Sequence, residues 1–183
     1  MGYFNHNHDG YTFKQYAHDL KNDQTRSAGW VLDITEDKDG NIWTVDNQGH
    51  FSKLNRASDQ WSNFTLPFRD SLVKKNKSLR YNFGTPRSIY VDSLTNQVWL
   101  GTNGVGLVSY NTITKKLTQF LVHPEAATKY GPQERVGQVR SLSANKLIVA
   151  TDQGVQTFDT KTNKFATLFN CSSCHLSNQI EQI

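Results

Sequence analysis

The sequence predicts an all-β chain made of four-stranded antiparallel units. Three observations predict it: a pattern that recurs three times, period-2 alternation of apolar and polar residues within each copy, and turn-forming Gly, Asn and Asp at the breaks. The copies are "WVLDITEDKDGNIWTVDNQGHFSKLNRASDQWSNFTL" (Trp30 to Leu66), "RSIYVDSLTNQVWLGTNGVGLVSYNTITKKLTQFLV" (Arg87 to Val122) and "QVRSLSANKLIVATDQGVQTFDTKTNKFATLFN" (Gln138 to Asn170). Trp43, Trp99 and Ile148 take equivalent positions, Gly49, Gly104 and Gly154 recur after them, and "KLNRASDQW", "SYNTITKKL" and "TFDTKTNKF" follow in step.

Each element follows from local chemistry. In the second copy the strand runs fall at about 88–92, 97–102, 106–111 and 116–121, and "QVWLGT" and "GLVSYN" carry the β-branched and aromatic residues that suit a pleated surface. "DKDGN" and "TITKK" are hairpin turns, because Asp, Asn and Gly tolerate the left-handed backbone such turns demand. No 11-residue window sustains a helical stripe. Four strands repeated with an aromatic at a fixed place describe the blade of a β-propeller, and about three blades are present. A plain sandwich would not need units so alike.

Composition narrows the function classes. The apolar share of 36% is low for a compact domain, but an aromatic share of 11% argues against disorder. The formal charge of +4 owes much to one run, "KKNKSLR" (Lys74, Lys75, Lys77, Arg80), confined to a predicted loop; a nucleic-acid partner would need such charge spread along a face with interleaved aromatics. No run approaches the ~18 apolar residues of a membrane span, and the first residues lack a signal-peptide pattern, so export and membrane contact would belong to segments outside this chain.

The stretch "HDLKNDQTRSAGWVLDITEDKDGNIWTVDNQG" resembles the two-component-regulator propeller repeat, with its HDP-like segment, its strand ending in ED, its D-x-x-G-x-I-W-x-G-T and its closing strand ending in F/Y-D. The resemblance runs from about Tyr11 to Ile183. Unit one departs from it in reading "WTVD" for W-x-G-T, and unit three in reading "ANKLIVAT", without the turn glycine and the Trp. The resemblance implies the periplasmic sensor region of a bacterial signalling protein, followed in the whole protein by a membrane span and a histidine kinase or diguanylate cyclase output module. It also implies small-molecule sensing, often of glycans.

The predicted organisation is a disordered leader over 1–10, an orphan outer strand over 11–19, blades over about 29–66, 87–122 and 138–170, and the inner strand of a further blade over 177–183. Propellers close with 4–8 blades, so the expectation is a partial propeller, completed by further blades of a longer protein or by a second copy meeting it head-to-tail.

Binding groups are expected on the connections from each outer strand to the next inner strand, which emerge on one face: about Ala17–Gly29, Pro67–Pro86, His123–Gly137 and Cys171–Ser177. They carry Arg69, Lys74, Lys75, Tyr81, Phe83, His123, Tyr130 and Arg135, aromatics and cations suited to a carbohydrate or a small anion. The fourth connection contains Cys171-Ser-Ser-Cys174-His175, the spacing that attaches c-type haem. The only Met is Met1 and no apolar helices surround the motif, so a local disulfide or free thiols is the preferred reading, haem c the alternative, and a metal the least favoured. No other cofactor is expected. "HNHDG" (His6 to Gly10) offers two His and an Asp without the further fixed ligands a metal site requires, and Glu36, Asp37 and Asp39 read as hairpin formers. The expected protein binds without catalysing. A propeller lyase or hydrolase is the competing class, for which Tyr130, His123 and Glu134 form the one cluster.

Overall fold

The computed structural model describes residues 7–8, 11–12, 14–68, 83–124 and 134–170. A two-residue hairpin, β1 (Asn7–His8) with β2 (Tyr11–Thr12), precedes three blades. Blade 1 is β3 (Val31–Glu36), β4 (Ile42–Asp46), β5 (His50–Asn55) and β6 (Gln60–Thr65). Blade 2 is β7 (Pro86–Asp92), β8 (Gln97–Gly104), β9 (Leu107–Asn111) and β10 (Leu117–Phe120). Blade 3 is β11 (Glu134–Ser143), β12 (Lys146–Thr151), β13 (Gly154–Asp159) and β14 (Lys164–Asn170). All named strand pairs are antiparallel, and each blade is an up-and-down meander, as the alternation predicts.

The same local solutions recur in each blade. The inner strand enters through a bulge at Val31/Asp33, Pro86/Ser88 and Val136/Gln138. The turn between third and fourth strands opens on Asn55, Asn111 or Asp159, whose side-chain oxygen accepts the backbone N–H groups two and three residues on. It closes on Asp59, Lys115 or Asn163 at φ 58, 61 and 57. An Asx residue followed by one left-handed residue therefore makes this turn three times without a glycine.

Faces pack blade on blade. The trailing face of blade 1 (Trp43, Val45, Phe51, Phe64) meets the leading face of blade 2 (Ile89, Val98, Leu100, Val108, Tyr110), with Phe51 and Phe64 ring centroids 5.1 and 5.2 Å from that of Tyr110. The trailing face of blade 2 (Trp99, Leu107, Phe120) meets Val139, Leu147, Val149 and Phe158 of blade 3; Trp99 and Phe120 lie 5.4 and 4.9 Å from Phe158. At about 25 cal/mol per Å² of apolar surface removed from water, these two cores are the main force holding the arc together.

Three expectations differ. Strand over 11–19 is confined to Tyr11–Thr12, and Lys14–Asp19 form none; Lys14 and the Tyr16 hydroxyl bond instead to Asp59 of blade 1. The leader expected to be disordered holds β1. Blade 3 begins at Glu134, because Glu134 and Arg135 pair with Gly104 and Asn103 of β8 before β11 joins its own blade. The further inner strand over 177–183 lies outside the described residues.

Candidate ligand-binding face

Up-and-down blades return two kinds of connection to one face: the turns between second and third strands, and the outer-to-inner connections. At the junction of blades 2 and 3 these come together in a shallow cleft lined by Val122, His123, Glu134, Thr151, Asp152 and Gln153. Val122 and His123 follow β10, Glu134 opens β11, and Asp152 and Gln153 form the β12–β13 turn. The Glu134 carboxylate accepts the backbone N–H of Val122 at 2.7 Å and that of His123, so it fixes the connection. Thr151 fixes the turn, its hydroxyl donating to Gly154 O (3.1 Å) and accepting from Gln153 N (3.2 Å). Loss of surrounding water pushes the Asp152 carboxyl above the usual carboxylate range, against its own backbone N–H and the charges of Arg135 and His123. The cleft is small, about 10 Å³, room for about one water molecule.

The corresponding place between blades 1 and 2 is filled. Phe83 is 9% exposed and packs so closely on Gly104 that a Cβ there would lie 2.2 Å from its ring. Phe83, expected to face a ligand, is therefore a core residue: an aromatic beside a glycine at φ +105° has more to gain from the interface than from solvent. In front of blade 1 the place is polar and closed. The Asp46 carboxylate, 1% exposed, accepts from Ser27 Oγ (2.5 Å), Gln48 N (2.8 Å) and His50 N (3.0 Å), with His50 Nδ1 at 3.2 Å. Burial pushes this carboxyl up, but His50 and Ser27 hold it below the ordinary value.

Of the residues singled out in the sequence, the structure thus brings His123 and Glu134 together in the cleft, leaves Arg135 exposed beside it, and buries Phe83. Arg69, Lys74, Lys75, Tyr81, Tyr130, Cys171, Cys174 and His175 lie outside the described residues. Asp152 and Gln153 were missed. The signal for them was the "TDQG" turn itself, since an up-and-down blade delivers that turn to the same face as the connections. Among the described residues no group of three or more His, Cys, Asp and Glu side chains could hold a metal ion.

The fold defines the class: a β-propeller arc of four-stranded antiparallel blades. It is shared with the extracellular domain of BT3049 from B. thetaiotaomicron, described as a hybrid two component system, at TM-score 0.58 and 24% identity over 80% of this chain and 19% of that one. The extracellular domain of BT4673 from the same organism matches at TM-score 0.58 and 17% identity, over 90% of this chain and 19% of that one. The chain therefore spans about a fifth of the length of these domains. Sqt1 of Saccharomyces cerevisiae also matches at TM-score 0.58, with 12% identity over 77% of this chain and 36% of that one. No protein-family model and no curated protein matches the chain.

Proposed function

We propose that the chain is a ligand-sensing, extracytoplasmic piece of a bacterial signal-transduction propeller, which binds through the face carrying its inter-blade connections and does no chemistry itself. The observation that carries this reading is the likeness to extracellular domains of two-component systems, at higher identity than to the yeast protein Sqt1. The cleft at the junction of blades 2 and 3 supports the choice of face. Its groups serve recognition better than catalysis: Glu134 is engaged by two backbone N–H groups, Arg135 stands exposed beside the cleft to meet an anionic group, and Asp152 stands on its turn to meet hydroxyls. Too small to enclose a sugar, the cleft would anchor one polar group of a ligand lying across the face. Ligand binding would act by population shift, favouring one arrangement of blades.

In this reading Cys171 and Cys174 carry a local disulfide or free thiols and no haem is attached. The test is a thermal-shift and calorimetric screen of the chain against neutral and acidic oligosaccharides. Binding weakened about tenfold by Arg135→Ala or His123→Ala is the expected result. Binding indifferent to both variants would remove the cleft from the reading. A Soret band with the mass of one covalent haem, after export from a host that matures c-type cytochromes, would make the fourth connection a redox site instead.

A further inference from the structure

The face opposite the cleft carries the turns between first and second strands and those between third and fourth strands. In blades 2 and 3 the two turns are tied to one another: Thr112 N donates to Asn96 O, and Thr160 N to Asn145 O, both at 2.9 Å. Aliphatic side chains project from this platform. Leu94 is 88% exposed and Ile113 70%, and Leu142, at the bulge that ends β11, is 50% exposed. The turns do not require them. Ile113 takes the place of Ala57 in blade 1 and of Lys161 in blade 3, and in all three the Asx residue and the left-handed residue build the turn. Leu94 follows Asp92, whose carboxylate accepts Leu94 N, Thr95 N and the Thr95 hydroxyl, bonds in which the leucine side chain has no part.

Around these tips the charge is one-sided. The same turns of blades 2 and 3 carry Lys115, Lys116, Lys146, Lys161 and Lys164, all exposed, against the carboxylates of Asp92 and Asp159 alone. Both carboxylates accept N–H groups of their own turns. In blade 1 the charges on this side pair off instead, Arg56 with Glu36, Lys53 with Asp37 and Lys14 with Asp59.

We propose that this face, over blades 2 and 3, adsorbs to an anionic lipid surface, with Leu94 and Ile113 entering the headgroup region and the lysines meeting lipid phosphates. A lysine beside such a surface buries its methylene stem and keeps its ammonium at headgroup level, and its attraction acts within about 8–10 Å. Convex aliphatic tips suit a fluid partner: lipid headgroups part around a single side chain, whereas a folded protein would need a pocket for each. A sequence window searching for a membrane span does not register such residues, because they stand singly in separate turns. In this orientation the cleft at the junction of blades 2 and 3 faces away from the lipid.

Co-flotation of the 183-residue chain with two kinds of vesicle tests this, phosphatidylcholine alone and phosphatidylcholine with phosphatidylglycerol. Binding is expected to the second kind only, weakening as salt is added. Leu94→Asp and Ile113→Asp, at exposed turn positions, are each expected to weaken it about tenfold or more without shifting the urea midpoint. Lys161→Glu with Lys164→Glu is expected to weaken it as much. Lys74→Glu with Lys75→Glu, in the connection between β6 and β7, is expected to bind as the wild type does. An absence of binding to the acidic vesicles overturns the proposal. So does binding that keeps its strength in both Asp variants, or that is lost with Lys74 and Lys75, since the chain would then adsorb by net charge alone. Tighter binding to polyglutamate in solution, with the same dependence on Leu94 and Ile113, would give the face to an acidic protein and overturn it as well.

Discussion

The two internal junctions are built by different means. Blades 2 and 3 are stitched by main chain: β8 runs past its own blade to pair with β11, Glu134 opposite Gly104 and Arg135 opposite Asn103. That close approach needs Gly101, where a Cβ would lie 2.5 Å from Ser88 Oγ and 2.8 Å from Val136 O. Blade 1 keeps a separate four-stranded sheet, and at the same repeat position carries Val45, fully buried among the aromatics of the junction. What reads in sequence as a departure, "WTVD" against "WLGT", is therefore a change from a backbone stitch to a side-chain plug. Both solutions bury the same face; the repeat fixes the geometry, and the chemistry varies within it.

The largest effect should come from forcing one solution onto the other junction. Gly101→Val puts the side chain of blade 1 into blade 2, against backbone oxygen that cannot move without unpairing β11. A loss of about 3 kcal/mol or more is expected, read from urea denaturation monitored by Trp fluorescence. A loss below about 1 kcal/mol would mean the stitch is not what holds blade 3.

Next is the turn that begins the second strand. In blade 1 the Asp37 carboxylate accepts from Asn41 N (2.9 Å), Asn41 Nδ2 (3.0 Å) and Trp43 Nε1 (3.0 Å), and pairs with Lys53 at 3.3 Å. In blade 2 Trp99 Nε1 is buried without a hydrogen-bond partner, so one carboxylate marks the difference between the two tryptophans. Burial alone would raise the Asp37 pKa, but Trp43, Asn41 and Lys53 bring it down to about 2. A folded-state pKa below the unfolded one, 3.8, stabilises the fold above that value, and the contribution is lost as pH falls toward 2. The shift corresponds to about 2 kcal/mol. Asp37→Ala should cost about 2–3 kcal/mol at pH 7. Asp37→Asn should flatten the acid limb between pH 4 and 2; an unchanged acid limb would assign it to other carboxylates.

Much of this was legible. The blades follow from alternation and from turns whose Asx and left-handed residues recur, and "DKDGN" was read as a hairpin former, which Asp37 is. Its reach to Trp43 was not legible, because a side-chain hydrogen bond across the strand leaves no periodic trace. Phe83 was read as a ligand aromatic because it closes a loop; only Gly104, distant in sequence, shows it to be packing. The Lys14–Asp19 segment was read as a strand from its likeness to β6 and β10, but a strand needs a neighbour, and pairing is a property of the assembled blade.

A smaller effect should follow from exchanging the second turn. Asp46 stands where blades 2 and 3 have Thr102 and Thr151. Each accepts a turn N–H: Gln48 N on Asp46, Val105 N on Thr102 and Gln153 N on Thr151. Asp46→Thr should keep that turn and lose the ties to Ser27 and His50, costing about 1–2 kcal/mol and speeding amide exchange at Ser27 through Trp30. A more stable variant would mean that burying the carboxylate costs more than its bonds return.

The smallest effect concerns an ion pair that, among the described residues, reaches from blade 3 across to blade 1. Arg140 of β11 donates to Asp33 of β3 at 3.2 Å, and Asp33 also accepts Ile89 N of β7 at 2.9 Å. Arg140 is half-exposed, whereas the Asp33 side chain is 12% exposed. Exposure weakens the guanidinium's share, so Arg140→Met should change stability by less than about 1 kcal/mol. Asp33→Ala should cost more, since it leaves the Ile89 N–H without its acceptor. A double-mutant cycle separates the two: coupling below about 1 kcal/mol would mean that Asp33 acts through the backbone of blade 2. Coupling well above that would mean that the junction of blades 1 and 2, which lacks a strand stitch among the described residues, is held in part by a cation from blade 3.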